Sequence, residues 1–165
     1  MIYSRFAVEE GNESNINANG NYLITPKNFI VKPTAGEVFN VTRMIVSITD
    51  SGLFSSAGYG AASALTNGLS FEIWKRGLKD FCLNDQLPIK QNGEYQALNH
   101  DLILSTFGAG NSWMSIRYTF TRDTNNSQGV ILDGANGDEF RVVCNDDLTG
   151  LVGHYFRFGI NLIDE

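Results

Sequence analysis

The residue types that carry catalysis or metal binding are few in this sequence and far apart. Its histidines are His100 and His154 and its cysteines Cys82 and Cys144, with no CxxC pair and no neighbouring histidine to complete a zinc pattern. Covalent catalysis needs a Ser, Thr or Cys beside a base that an acid orients, and neither histidine lies in a GxSxG-like context. His154 heads an apolar alternation, and His100 precedes Asp101 in a stretch read as a surface connection. Each is therefore expected to be an ordinary surface or half-buried side chain.

The carboxylates give a similar answer. Asp146 and Asp147 are adjacent, so on an extended chain they point to opposite faces, and a paired-carboxylate hydrolase would need a further acid from another strand. DGANGD, residues 133–138, has the oxygen-rich look of a calcium loop but lacks the longer ligand spacing and closing Glu of an EF-hand. Turn chemistry accounts for its Asp, Asn and Gly. The glycine clusters at 58–60 and 108–110 are not followed by Gly-Lys-Ser/Thr and read as turns rather than phosphate loops. The sequons at 12–14, 40–42 and 125–127 carry meaning only in a secreted chain. No catalytic residue, cofactor site or metal site is assigned, and the chain is not expected to be an enzyme.

Composition narrows the partners. Twelve Lys and Arg stand against eighteen Asp and Glu, a net charge of −6 with no basic run, which disfavours a phosphate backbone. No apolar stretch approaches the roughly 18 residues of a membrane span. The opening MIYSRFAVEE lacks the basic and apolar regions of a secretory signal, so synthesis in the cytoplasm is expected. The cysteines are read as free and buried thiols. Seventeen glycines against three prolines supply tight turns while leaving strands unbroken.

These residues must be positioned by strands, because no helical period lasts more than a turn or two. Residues 4–8 form a short strand and residues 9–20 a polar loop. Residues 22–24 and 29–32 are short extended pieces bounded by Pro26 and Pro33, placed at sheet edges. Residues 38–49 are apolar on both parities, as in a strand buried on both sides or one that bends between sheets. Arg43 within it is read as pairing with a carboxylate or carbonyl. Residues 50–68 form a long connection with a short helical turn at 61–65; its Phe54 and Tyr59 either contact a partner or fold back as a lid on the core. Residues 69–75 and 78–83 form a hairpin across Arg76-Gly77. Residues 98–105 are helix or strand. Residues 113–122 alternate clearly, with Met114, Ile116, Tyr118 and Phe120 on the core side. Residues 130–132 and 139–144 read as a hairpin with DGANGD at its tip, and residues 154–162 as a last strand. The fold expected is a single all-β domain over residues 1–165. It is an antiparallel β-sandwich, jelly-roll-like, of about eight to ten strands, with residues 1–33 as a partly extended N-terminal arm.

A set of segments adds a resemblance: FNVTRMIVSITDSG, LTNGLSFEI, PIKQN, SWMSIRYTF and FRVVCNDDLTGLVGHYFRF. They resemble small structural proteins encoded among the virion genes of tailed bacteriophages, a resemblance that spans residues 29–160. The resemblance implies a non-enzymatic subunit of a symmetric assembly: a capsid decoration or cement protein, or a neck or tail component. It implies a location in the virion, self-association, other virion proteins as partners and no nucleic acid or membrane. Phe6, Phe54 and Tyr59 are the candidate partner contacts, and in such a subunit residues 146–151 would be a rigid turn closing the last hairpin, its carboxylates capping backbone N–H groups. The alternative is a lectin-like carbohydrate-binding sandwich. In that case Trp74 and Trp113, which leave the apolar face of their strands, would be the stacking platform.

Overall fold

Residues 38–50 show how this sequence builds its sheets. In the computed structural model, which describes residues 2–7, 16–17, 19–50, 55, 57–60, 64–82, 88–92, 94, 100–107, 111–120 and 129–163, they are one strand, β4 (Val38–Asp50). Phe39 and Val41 are buried on one parity, then Met44, Val46 and Ile48 on the other. The change falls at Thr42: in the ladder with the last strand, Val41 pairs with Ile160 and Arg43 with Gly159, leaving Thr42 as an extra residue. Its hydroxyl donates to the Gly159 carbonyl at 3.3 Å. A bulge of this kind bends a strand and resets which side chains face inward. The doubly apolar pattern therefore belongs to a bent strand with one core-facing side.

The remaining strands are β1 (Ile2–Ala7), β2 (Ile16–Asn17), β3 (Lys27–Val31), β5 (Leu69–Lys75), β6 (Leu78–Cys82), β7 (His100–Phe107), β8 (Asn111–Thr119), β9 (Val130–Asp133), β10 (Glu139–Cys144) and β11 (Gly153–Ile163). The larger sheet has the order β1-β11-β4-β8-β7, with β2 also on β11 and β9 also on β4; the smaller has the order β3-β10-β5-β6. Both are antiparallel, and they pack face to face as an all-β sandwich. Eleven strands are present among the described residues, against eight to ten expected. The surplus comes from short pieces such as the two-residue β2, too brief to show a period.

Several expectations resolve here. Residues 98–105, left between helix and strand, lie largely in β7, so His100 belongs to a strand rather than a surface connection. Arg76 and Gly77, at φ 53° and 78°, form the two-residue turn of the β5–β6 hairpin, where both central residues need positive φ. The 130–144 hairpin is not formed: β9 pairs with β4 in the larger sheet and β10 with β3 and β5 in the smaller. DGANGD is a crossover between sheets, and its Gly134–Asn136 portion is a 3-10 turn. The described parts of the segment expected as an arm are laid into both sheets, β1 opposite residues 158–163, β2 opposite 155–156 and β3 opposite 140–144. Residues 61–63 of the expected helical turn lie outside the described residues.

The core sits between the sheets. Phe29 of β3 meets Phe156 of β11 at 5.6 Å between ring centroids, and Phe140 of β10 meets Phe158 of β11 at 5.0 Å. Burying a side chain of this size contributes about 1.5–3 kcal/mol, so this row binds the two layers strongly.

Candidate functional site

The end of the sandwich where β10 stops and β11 starts is organised around one aspartate and its neighbours. Asp146, buried at 3 % exposure, accepts the backbone N–H of Thr66 at 2.9 Å, of Asn67 at 2.7 Å and of Gly68 at 2.5 Å. Its own carbonyl accepts the Tyr22 N–H at 2.9 Å, and Leu148 N–H donates back to the Gly20 carbonyl at 3.0 Å. The Asn19 amide donates to the Leu151 carbonyl at 3.1 Å. Three loops that are distant in sequence are thereby fixed to one another. The carboxylates do cap backbone donors, as expected, but residues 146–151 cross from the smaller sheet to the larger rather than closing a hairpin. Asp147 beside it is exposed, and the Thr149 hydroxyl and N–H hold its carboxyl below the ordinary range.

Tyr59 belongs to this end as a structural member. It is fully buried, with its hydroxyl 2.8 Å from Nε2 of His154 and the two rings edge to face. A residue so placed cannot meet a partner, so Tyr59 is corrected from candidate contact to lid. His154 is likewise buried rather than surface or half-buried. Asn92 fastens the same loop: its N–H donates to the Gly58 carbonyl at 2.6 Å, its amide to the Ser55 carbonyl at 3.0 Å, and its Oδ1 accepts from Gly60 N–H at 3.3 Å. Phe54 lies outside the described residues. Phe6 stands opposite Gly159 in the β1–β11 ladder.

Among the side chains this end offers to solvent are three large apolar ones. Ile24 is 94 % exposed, Val152 56 % and Leu23 45 %. Leu23 and Ile24 follow the Asn21–Asp147 bridge and Val152 follows Leu151, so they ride on the two loops that the Asn19, Gly20 and Tyr22 bonds tie together. Residues 22–24, expected as an extended piece at a sheet edge, form no strand, which is why these side chains are not legible in the sequence. Their one signal is a Leu-Ile pair placed just before Pro26 inside a polar segment.

The outer face of the smaller sheet holds the stacking candidate. Trp74 donates its indole N–H to Glu72 at 2.8 Å, and the Arg141 guanidinium lies 3.8 Å from the ring centroid, covering one face. Arg141 and Lys32 pair with Glu139 at 2.6 and 3.0 Å, and Lys79 with Glu72 at 3.4 Å. Trp113 is in β8 of the larger sheet, so the two tryptophans do not share a flat face.

At the opposite end a cavity of about 480 Å³ is lined by Glu37, Val38, Asp133 and Ile163 among others. Its acids shape their own turns: Glu37 accepts from Thr34 N–H and hydroxyl, and Asp133 from Ala135 N–H and the Asn136 amide. Nearby, Asp138 accepts from Lys75 Nζ at 2.8 Å and from the Asp133 and Arg76 N–H groups; Lys75 also donates to the Ile131 carbonyl. Burial alone would raise the Asp138 carboxyl, but Lys75 and the two N–H donors outweigh it and hold the group below its ordinary range. A carboxylate depressed in the folded state stabilises above its unfolded pKa of about 4, and that stability is lost as pH falls through the folded value. Asp138→Asn should therefore cost about 2 kcal/mol at neutral pH. It should also flatten the loss of stability below about pH 4 relative to the parent. Denaturant midpoints across the acid range would show it, and parallel acid limbs would refute it.

Burial pushes the Cys144 thiol up to about 12, which leaves it protonated and unreactive. Among the described residues no group of three or more His, Cys, Asp or Glu could hold a metal ion, and no helix is long and apolar enough to cross a membrane. No protein-family model, curated protein or solved structure matches the chain.

Proposed function

We propose that this protein is a non-enzymatic structural subunit of a tailed-phage virion, a decoration or cement protein that docks on the capsid surface through the apolar end of its sandwich. The observation that carries this is Ile24, with Leu23 and Val152, exposed on loops that hydrogen bonds tie to one another. Apolar side chains displayed on a stiff support lose little entropy on binding and act as anchors for a partner surface. The resemblance of residues 29–160 to virion proteins supplies the setting.

The test is saturable binding to capsids that lack this subunit. Ile24→Glu combined with Val152→Glu should weaken it by about tenfold or more, because each buries a charge at the contact. The unfolding midpoint should stay unchanged, since both side chains are exposed. Equal binding by the variant would refute this docking surface. Binding to neck or tail fractions instead of capsids would move the subunit within the particle. Retardation on polysaccharide gels that Trp74→Ala abolishes would favour the lectin-like alternative.

A further inference from the structure

Four asparagines in this chain precede a glycine: Asn19, Asn67, Asn92 and Asn136. In such a pair no Cβ hinders the glycine nitrogen as it approaches the asparagine side-chain amide, so the pair is prone to lose ammonia. The fold treats the four differently. Gly68 N–H is held by the buried Asp146 carboxylate at 2.5 Å, and an added Cβ there would stand 2.7 Å from Pro88 Cβ and 2.9 Å from the Ile89 carbonyl oxygen, which leaves no room for a new ring. Asn92 is buried, and its side chain is bonded at both ends, to the Ser55 carbonyl and the Gly60 N–H. The Asn19 amide is tied to the Leu151 carbonyl at 3.1 Å, and an added Cβ at Gly20 would stand 2.9 Å from the Tyr22 hydroxyl. Asn136 differs from all three. It is exposed at the last position of the 3-10 turn, and Gly137 after it has a φ of 70° with nothing within 4 Å of an added Cβ. Its amide donates to the Asp133 carboxylate at 2.7 Å in an exposed bond, and Gly137 N–H closes the turn on the Gly134 carbonyl at 3.0 Å. Both bonds lie within one turn and open without disturbing the sheets, whereas those of the other three join segments distant in sequence.

We infer that Asn136-Gly137 is a self-modification site, at which the folded chain turns an amide into a carboxylate with water as the one co-reactant. The Gly137 backbone nitrogen forms a bond to Asn136 Cγ, the bond from Cγ to the amide nitrogen breaks, and ammonia leaves with the proton that the glycine nitrogen gives up. Water then adds to one of the two carbonyls of the five-membered imide. Cleavage at Cγ restores the ordinary backbone with an aspartate at 136; cleavage at the backbone carbonyl leaves the chain running through Cγ, the isoaspartyl form. No group is oxidised or reduced. The fold converts the product into an effect. Asp133 Oδ2 loses the donor it accepts from and meets a second carboxylate. This happens in a turn that the Gly134 and Asp138 N–H groups fasten to the Glu37 and Asp133 carbonyls. The isoaspartyl form also lengthens the backbone two residues after Gly134, where the Thr34 carbonyl already leaves no space for one more carbon. The crossover between the sheets therefore loosens as the chain ages, while the apolar end with Ile24 and Val152 keeps its bonds. The site acts whether or not the chain docks on a capsid.

The experiment incubates the full chain in warm, mildly alkaline buffer, with a parallel sample in denaturant, and follows each Asn-Gly peptide over time by digestion and mass spectrometry, isoaspartate being assigned by fragmentation. In the folded chain position 136 should convert at least about tenfold faster than 19, 67 and 92, a ratio that one or two additional bonds to break produce. In denaturant the four should convert at similar rates, because the protection belongs to the fold. Gly137→Ala should slow conversion at 136 severalfold and leave the other three unchanged. Asn136→Asp, which installs the aspartyl product directly, should lower the folded-to-unfolded ratio by about fivefold, as losing one hydrogen bond does. Conversion in the folded chain that starts at 19, 67 or 92, or that is as slow at 136 as at those positions, would overturn the inference. An Asn136→Asp variant as stable as the parent would overturn it too, since the product would then leave the crossover unchanged.

Discussion

Asp146→Ala should be the most damaging polar substitution in the molecule, lowering stability by about 2–4 kcal/mol. For a chain of this size that is a fall in the unfolding midpoint of about 5–15 °C. The carboxylate meets three consecutive N–H groups, Thr66, Asn67 and Gly68, in the turn that leads into β5. Deleting it strands the buried Gly68 donor and removes support from the other two, and a buried donor without an acceptor costs its full desolvation. Asp146→Asn tests the same geometry more finely. An amide keeps one acceptor and turns the second position into a donor facing N–H groups, so most of the loss should persist. The Tyr22 N–H bonds to the backbone carbonyl of Asp146, and Leu148 and Leu151 are tied to residues 19–20 without the carboxylate, so the loops that carry Leu23, Ile24 and Val152 keep their own bonds in this variant. A midpoint within about 1 °C of the parent would show that water replaces the carboxylate freely and that the 66–68 turn is not fixed through it.

The legible parts of this fold were those with a local cause. Alternation placed Met114 and Ile116 inward on β8 and Phe156, Phe158 and Ile160 inward on β11, and all five are buried. The Arg76-Gly77 turn is legible from Gly77 between two strand-like runs, although Arg76 also takes a positive φ that its residue type does not favour. Pairing partners were not legible. Residues 130–144 have the spacing of a hairpin, yet β9 and β10 join different sheets, because DGANGD bends the chain through a 3-10 turn that closes on Gly137. A turn-rich sequence says that the chain changes direction, and the packing of the flanking strands decides where it goes.

The same division holds for the site. Tyr59 stands out with Phe54 as an aromatic in a long connection, but whether it faces a partner or the core depends on His154, ninety-five positions away. The exposed Ile24 was hidden in a segment whose Pro26 suggested a sheet edge. Trp74 had the parity of an outward platform and does face outward, yet Arg141 on the adjacent strand occupies one side of the ring. For Tyr59 and Trp74 the residue that decides the role lies on another strand, whereas residues 22–24 form no strand at all. Arg43 depends on another strand as well: its outward placement follows from the bulge at Thr42, and its side chain lies against a glycine on β11.

Gly134→Ala should be the most damaging glycine substitution, at about 3 kcal/mol or more, although alanine adds only one carbon. Gly134 opens the 3-10 turn, and its N–H donates to the Glu37 carbonyl at 3.0 Å. A Cβ there would stand 1.7 Å from the Thr34 carbonyl oxygen and 2.5 Å from its carbon. Those are backbone atoms, so no rotamer change relieves the clash. The 34–37 turn, itself closed by the Glu37 N–H on the Thr34 carbonyl at 2.9 Å, must move away as a unit. That movement breaks the Gly134–Glu37 bond and pulls on the start of β4, where Val38 pairs with Asp133. Two glycines nearby separate this crowding from other effects of losing a glycine. Gly137 has a φ of 70° but nothing within 4 Å of an added Cβ, so Gly137→Ala should cost only the backbone strain, about 1 kcal/mol. Gly36 is equally open and shows no positive φ, so Gly36→Ala should be neutral or slightly stabilising. Denaturant midpoints for the three variants should therefore rank Gly134 far below Gly137, and Gly137 below Gly36. If Gly134→Ala and Gly137→Ala cost the same, the crossover yields to an added carbon without strain, and the close approach of residues 34 and 134 does not hold the sheets together.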